Sequence, residues 1–222
     1  VEFNLDCTTA LPGLFTAGED SGGVHGANRL GGNGVANSTV FGGVAGEAMA
    51  EWLKRENGFR EPDRSAIDAA VGRCERPLRS KGSAHGALEP LREGLFDLMW
   101  DKVGISREAG SMREAMSALD AIEAELDACA LADHQRAFNL SWHDWMNLKS
   151  LVEISRVITE AALAREDSRG AHFRADFPEA GPLETSAYTS VAMNASGALE
   201  IEMKPVAFTR VKPGQTLLRD AA

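Results

Sequence analysis

Glycine crowds one end of this chain. Twelve of the 22 glycines lie within the first 58 residues, and six of them fall between Ser21 and Gly34, in SGGVHGANRLGGNG. Glycine loses more backbone freedom on folding than any other residue, so such a stretch is a poor helix or ladder. It suits a loop whose backbone must pass close to something. Just before it, Leu14, Phe15, Thr16 and Ala17 form a short apolar run ending at Gly18, which predicts a buried strand. Just after it, Val40, Val44, Ala48, Met49, Trp52 and Leu53 predict a helix from about Val35 to Lys54. Gly42, Gly43 and Gly46 inside that helix each cost about 1 kcal/mol relative to alanine, so close approach of a neighbouring backbone or ligand is expected there. Strand, glycine loop and helix together expose backbone N–H groups and the positive end of a helix dipole. That arrangement holds a phosphate or a cofactor edge.

The loop carries chemistry-bearing side chains. Arg29 sits among small and apolar residues, and its planar fork fits a carboxylate in a two-point grip; the structural alternative is a salt bridge to a nearby acid. His25, four residues earlier, can donate to the same anion, although a lone histidine is more often structural. Glu19 can accept from cofactor hydroxyls, or be a solvated loop acid. GGNGVAN approaches the dinucleotide fingerprint G-x-G-x-x-G, but Asn37 stands at the last glycine and no strand directly precedes it, so it is not read as a pyrophosphate loop.

Downstream the character changes. Residues 56–90 are polar and punctuated by Pro62, Pro77 and Pro90, which predicts a connection with a short helix near Ser65–Arg73. Three helices then follow. Leu91, Leu95, Leu98 and Met99 mark the first, with Gly104 as its stop. Met112, Met116, Leu119, Ile122 and Leu126 mark the second, with Ser106 as its cap. Trp145, Leu148, Leu151, Val152, Val157, Ile158 and Ala162 mark the third, opened by a capping box of Ser141 and Asp144. Together they suggest a small up-down bundle. The stretch REDSRGAHFRADFP ends the third helix with Gly170 as its C-cap. It gathers Arg169, His172 and Arg174, which either complement the helix terminus or make a domain–domain contact; contact is the assignment made here. Finally, TSVAM and ALEIEMK flank the turn NASG and predict a hairpin, with Leu199, Ile201 and Met203 on one face. The fold class is therefore α+β. The expected division is 1–58, a linker at 59–89, a helical domain at 90–180 and a β tail at 181–222.

Composition excludes several classes. A net charge of -10 argues against a nucleic-acid partner, whose phosphates need a basic face. Cys7, Cys74 and Cys129 are odd in number and widely spaced, which fits neither a disulfide framework nor a zinc site and favours a reducing cytoplasm. No apolar run approaches the roughly 20 residues of a membrane span. GxSxG, HExxH and Walker loops are all missing.

Motifs in a fixed order carry a resemblance. GLFTAGE, HGANRLGGNGV and VFGGVAG, followed by DSRGAHFRADFP, resemble the flavoprotein subunit of succinate dehydrogenase and fumarate reductase, with L-aspartate oxidase as a close relative. The resemblance covers nearly the whole chain. It departs from the family pattern at Asp167, where glutamate is usual, and at Gly34 and Val35, where the family has a Ser-Leu pair.

The resemblance implies FAD as cofactor, contacted by Glu19 and, at the helix start, by Asn33, Gly34 and Val35. It implies that Arg29 grips a carboxylate of a dicarboxylic substrate beside His25. It implies hydride exchange between flavin and a succinate/fumarate-type acid, or amino-acid oxidation of the aspartate type; a non-catalytic helical interaction module is the alternative. The family's N-terminal ADP-binding turn, the histidine that carries covalent FAD and the capping domain with its proton-transferring arginine are not in these residues. The expectation is thus a C-terminal portion, inactive alone, working with the missing FAD and capping portion or a partner subunit. An iron–sulfur subunit is a further expected partner. Location would be cytoplasmic, or peripheral at the inner membrane face through partner subunits.

Overall fold

The computed structural model describes residues 1–56, 61–80 and 88–216, arranged as two compact units, Val1–Glu61 and Pro62–Ala222. Parts of the expected linker at 59–89 and the end of the expected β tail lie outside the described residues.

The first unit is a turn-rich segment packed on one long helix, α1 (Asn33–Glu56). The strand predicted at Leu14–Ala17 does not form as a strand. Thr8 and Phe15 make an isolated antiparallel bridge, with Thr9 N donating to Leu14 O and Thr16 N to Cys7 O. The chain reverses at Leu11–Pro12–Gly13, where Leu14 N donates to Leu11 O, and a ladder of one pair is too short to count as a strand. Gly13 takes φ +87, and a Cβ there would lie 3.2 Å from the Trp52 ring, so turn and helix meet closely. Phe15 and Trp52 stack edge to face at 6.2 Å, and Phe3 does so with Phe41 at 6.0 Å. Cys7 and Ala45 complete this small core. The other expected apolar positions of α1 differ: Val40, Met49 and Leu53 are exposed, and Gly42, Gly43 and Gly46 face open space among the described residues.

The second unit contains α2 (Arg64–Arg79), α3 (Leu88–Val103), α4 (Ala109–Ala128) and α5 (Leu140–Ala164), then an antiparallel hairpin of β1 (Ala187–Met193) and β2 (Leu199–Pro205). α2 is longer than the predicted short helix. Asp63 caps its start by accepting from Ser65 N and Ala66 N, and Pro77 is tolerated in the last turn. The α3–α5 bundle forms as predicted. Leu91, Leu95, Leu119, Leu126, Trp145, Leu148 and Val152 are buried together with Leu78 of α2. Each buried leucine contributes roughly 1.5–3 kcal/mol of transfer free energy. Leu151 and Ile158 of α5 are exposed, contrary to expectation, because the buried stripe runs through Trp145, Leu148, Val152, Ser155, Thr159 and Ala162 instead.

Three helix boundaries also differ. α4 begins at Ala109, with Glu108 rather than Ser106 in the N-cap position. α5 is capped by Asn139, whose side chain accepts from Trp142 N, not by Ser141. α5 ends at Ala164 with Arg165 extended, so Gly170 (φ +59) is a turn residue of the Arg169–His172 bridge and not the C-cap.

Candidate functional site

The first unit contains a cleft of about 570 Å³ lined by the loop and the start of α1, including Glu19, His25, Arg29, Gly34, Val35 and Asn37. That volume suits a drug-sized ligand or a ring system. The fold brings together five of the six residues singled out for binding; Asn33 is the first residue of the helix that forms one wall. Sequence reasoning passed over Ser21, Ser38 and, as a site residue, Asn37. The one signal for Asn37 was its place at the missing fingerprint glycine.

α1 carries no acidic side chain in its first turn, so its N-terminal N–H groups and dipole are uncompensated by its own residues. Arg29 adds positive charge at the same place: a Cβ on Gly34 would lie only 3.0 Å from Arg29 Nη1. Arg29 forms no salt bridge with any described residue, and neither does His25. A guanidinium beside a helix N-terminus is a site that attracts an anion. Gly18 closes the other side at φ +81; a Cβ there would meet Ser38 Oγ at 3.0 Å. Its carbonyl accepts from Ser21 N at 3.2 Å, Ser21 Oγ at 2.6 Å and Asn37 Nδ2 at 3.1 Å.

The other cluster belongs to the second unit. Arg174 is 1% exposed. Its Nη1 donates to the carbonyls of Ala162, Leu163 and Arg165 at 2.9–3.0 Å, and Nε and Nη2 grip Asp176. The Asp176 carboxylate in turn accepts from Ala109 N at 3.0 Å, which caps α4 from a distant loop. That contact explains the α4 boundary. The Arg174 guanidinium and the backbone N–H of Ala109 hold the Asp176 carboxyl well below the usual carboxylate range. Arg169 donates to Ser186 Oγ and Gly181 O, tying the loop to the approach to β1. Arg107, which sequence reasoning did not select, places Nη1 2.8 Å from His172 Nδ1. An arginine only donates, so Nδ1 accepts and His172 is the neutral Nε2–H tautomer, with Nε2 3.3 Å from Arg165 O. Burial is the main cause lowering the His172 pKa, opposed by that carbonyl and reinforced by the Arg107, Arg165 and Arg174 charges. Among the described residues no group of His, Cys, Asp or Glu is placed to hold a metal ion, and no described helix is long and apolar enough to cross a membrane.

Residues 1–35 match the FAD binding domain family, and residues 92–217 match the family described as fumarate reductase flavoprotein C-term. The chain belongs to the fumarate reductase and succinate dehydrogenase flavoprotein family, whose cofactor is FAD. It is 31% identical over 220 residues to the fumarate reductase flavoprotein subunit of Mycobacterium tuberculosis, covering 97% of this chain and 38% of that protein. It is 35% identical over 179 residues to an FAD-dependent oxidoreductase of Methanocaldococcus jannaschii, covering 81% of this chain and 31% of that protein. Among solved structures, E. coli quinol fumarate reductase superposes with a TM-score of 0.86 at 27% identity, covering 97% of this chain and 37% of that one. The chain thus spans about a third of the length of the relatives it matches.

The residues present fit such a cofactor. The cleft is walled by glycines and by a helix N-terminus with no acidic residue in its first turn, and a Cβ at Gly34 would lie 3.0 Å from Arg29 Nη1.

Proposed function

We propose that this chain is the C-terminal portion of an FAD-dependent oxidoreductase acting on a small dicarboxylate of the succinate/fumarate type. Bound FAD supplies the two-electron chemistry, exchanging hydride with the carbon–carbon bond beside a carboxylate. Residues 1–58 act as the closing segment of the FAD domain, and residues 90–180 as the helical C-terminal domain. Arg29 holds one substrate carboxylate, His25 donates a second hydrogen bond to it, and Glu19, Asn33, Gly34 and Val35 contact the cofactor. Arg169, His172 and Arg174 organise a loop suited to contact with the remainder of the protein. That remainder, the FAD and capping portion, comes from a longer chain or a partner subunit, and an iron–sulfur subunit exchanges the electrons at the inner face of a membrane.

The observation that carries this reading is the placement of Arg29. Its guanidinium shares one wall of the cleft with the start of α1 and pairs with no described carboxylate. Two positive elements on one wall favour a substrate anion, and a bidentate guanidinium fixes its orientation.

The test is steady-state kinetics of the complete protein carrying Arg29→Ala or Arg29→Lys, with succinate and fumarate. kcat/KM is expected to fall about a hundredfold or more, with flavin content unchanged. Loss of flavin with unchanged turnover per remaining flavin overturns the assignment of Arg29.

A further inference from the structure

One face of α3 stays uncovered, and its composition is unusual. Leu91 and Leu95 bury the inner side of the helix. On the outer side Phe96 is 49% exposed, and Trp100, the most exposed tryptophan of the chain, is 70% exposed. The two stand one turn apart, so their rings share a face. Glu89 and Glu93 continue that face toward the helix start, and Asp97 and Asp101 run along its edge. All four acids are exposed.

These acids do nothing for α3 itself. A spacing of four residues sets each carboxylate beside the next, and like charges at that spacing oppose a helix. Asp97 and Asp101 also fall in the last two turns, where the helix dipole is already negative. Glu93 lies 3.7 Å from Arg92, and no described residue forms a salt bridge with Glu89, Asp97 or Asp101. The neighbouring helices differ. On α4, Asp120, Glu123 and Asp127 are each paired with a cation of α5 or α2.

An exposed aromatic pair flanked by unmatched acids fits a partner that is apolar at its centre and cationic around it. The Trp100 ring can also take a cation on its face. Charge decides between occupants. A second copy would set the same four acids against themselves, in a chain of net charge -10. Anionic lipid and nucleic-acid phosphates are repelled in the same way. A polypeptide with Lys or Arg beside apolar side chains is attracted.

We propose that the outer face of α3, residues 89–101, docks a basic amphipathic segment of a partner polypeptide, with Phe96 and Trp100 as the apolar anchors. The face is about 18 Å long, enough for roughly three turns of a partner helix. It belongs to the unit with the helical core, so the inference does not depend on the FAD cleft.

The experiment uses the complete protein. The probe is a labelled helical peptide of about 18 residues, with leucine on one face and lysine at four-residue steps beside it. Fluorescence anisotropy is expected to show binding that weakens about tenfold or more between about 0.05 and 0.5 M salt. Asp97→Lys with Asp101→Lys should weaken it at least about tenfold, and Trp100→Ala, which leaves the charge intact, severalfold. Asp68→Lys with Asp144→Lys makes the same charge change at exposed positions of α2 and α5 and should leave binding unchanged. Equal losses from the two charge reversals reduce the effect to general attraction between an acidic protein and a cation, and overturn the proposal. So does equal binding of a peptide with glutamate for lysine, or unchanged binding in Trp100→Ala. A second arm places a photo-crosslinker in the complete protein as Trp100→p-benzoylphenylalanine, in the cells that make it. Mass spectrometry is expected to identify a Lys- or Arg-rich stretch of a different polypeptide. A cross-link to a second copy, to the same polypeptide or to phospholipid overturns the proposal.

Discussion

Arg174 grips Asp176 through two hydrogen bonds of 2.8 Å, Nε to Oδ1 and Nη2 to Oδ2. The pair joins the carbonyl end of α5 to the amide end of α4. A cation sits where α5 is negative and an anion where α4 is positive, so both helix dipoles are complemented by one ion pair.

Removing Arg174 takes the guanidinium from three carbonyls at the end of α5, and only Arg165 O keeps another donor, His172 Nε2. Arg174→Ala is expected to destabilise the second unit by on the order of 3–5 kcal/mol and to lower Tm by roughly 10 °C. Arg174→Lys recovers little, because an ammonium cannot reach both the carbonyls and the carboxylate. Asp176→Asn leaves the Arg174 charge buried without its carboxylate and turns an NH2 toward an N–H donor, so it too should lower Tm by several degrees. Thermal unfolding followed by circular dichroism orders the three variants.

The neutral His172 accepting from Arg107 predicts a pH response. Its folded pKa is lowered, chiefly by burial, from the ordinary 6.5. Below that value the unfolded chain binds a proton that the folded chain resists. The contribution of His172 is therefore present above about pH 6.5 and is lost as pH falls below it. Urea midpoints measured at pH 7.5 and 5.5 should drop toward the acid side, and His172→Gln should flatten that part of the profile.

Much of this architecture was readable in advance, for physical reasons. The α3–α5 bundle follows from apolar residues at three- and four-residue steps, and the hairpin from strict alternation around NASG, both local patterns. The α4 start was not readable, because its capping carboxylate comes from Asp176. Gly170 looked like a helix stop because glycine serves both helix ends and tight turns. The strand at Leu14–Ala17 had the right composition, but composition does not report whether a ladder partner lies alongside, and here only Thr8 bridges to Phe15. In the cleft, Arg29 and His25 stood out by charge amid glycine, whereas Asn37 is distinguished only by an unpaired atom, which no sequence displays.

The α5 start offers a direct comparison of two caps. Asn139 is buried, accepts from Trp142 N and donates through Nδ2 to Asp133 O and Gln135 O. Asn139→Ala should cost about 1–2 kcal/mol, and Ser141→Ala should fall within about 0.5 kcal/mol of the native chain. Chemical denaturation separates them.

Gly34 controls the room beside Arg29. In Gly34→Ala the new methyl would stand 3.0 Å from Arg29 Nη1, so the guanidinium must shift by a few tenths of an ångström. Alanine also favours helix over glycine by about 1 kcal/mol. The variant of the complete protein should be at least as stable as the native one and show a severalfold higher KM for a dicarboxylate. Thermal melts and initial-rate kinetics read the two effects separately.

The Asp176 cap on Ala109 spans 67 positions of chain. Two helix ends that would ordinarily fray independently are thereby made one cooperative unit. The first turn of α4 cannot open without releasing Asp176, and releasing Asp176 leaves the Arg174 guanidinium, seated on the carbonyls of α5, buried without its counter-ion. Amide hydrogens on either side of the latch should exchange with solvent at a common rate, set by a single opening event rather than by two fraying termini.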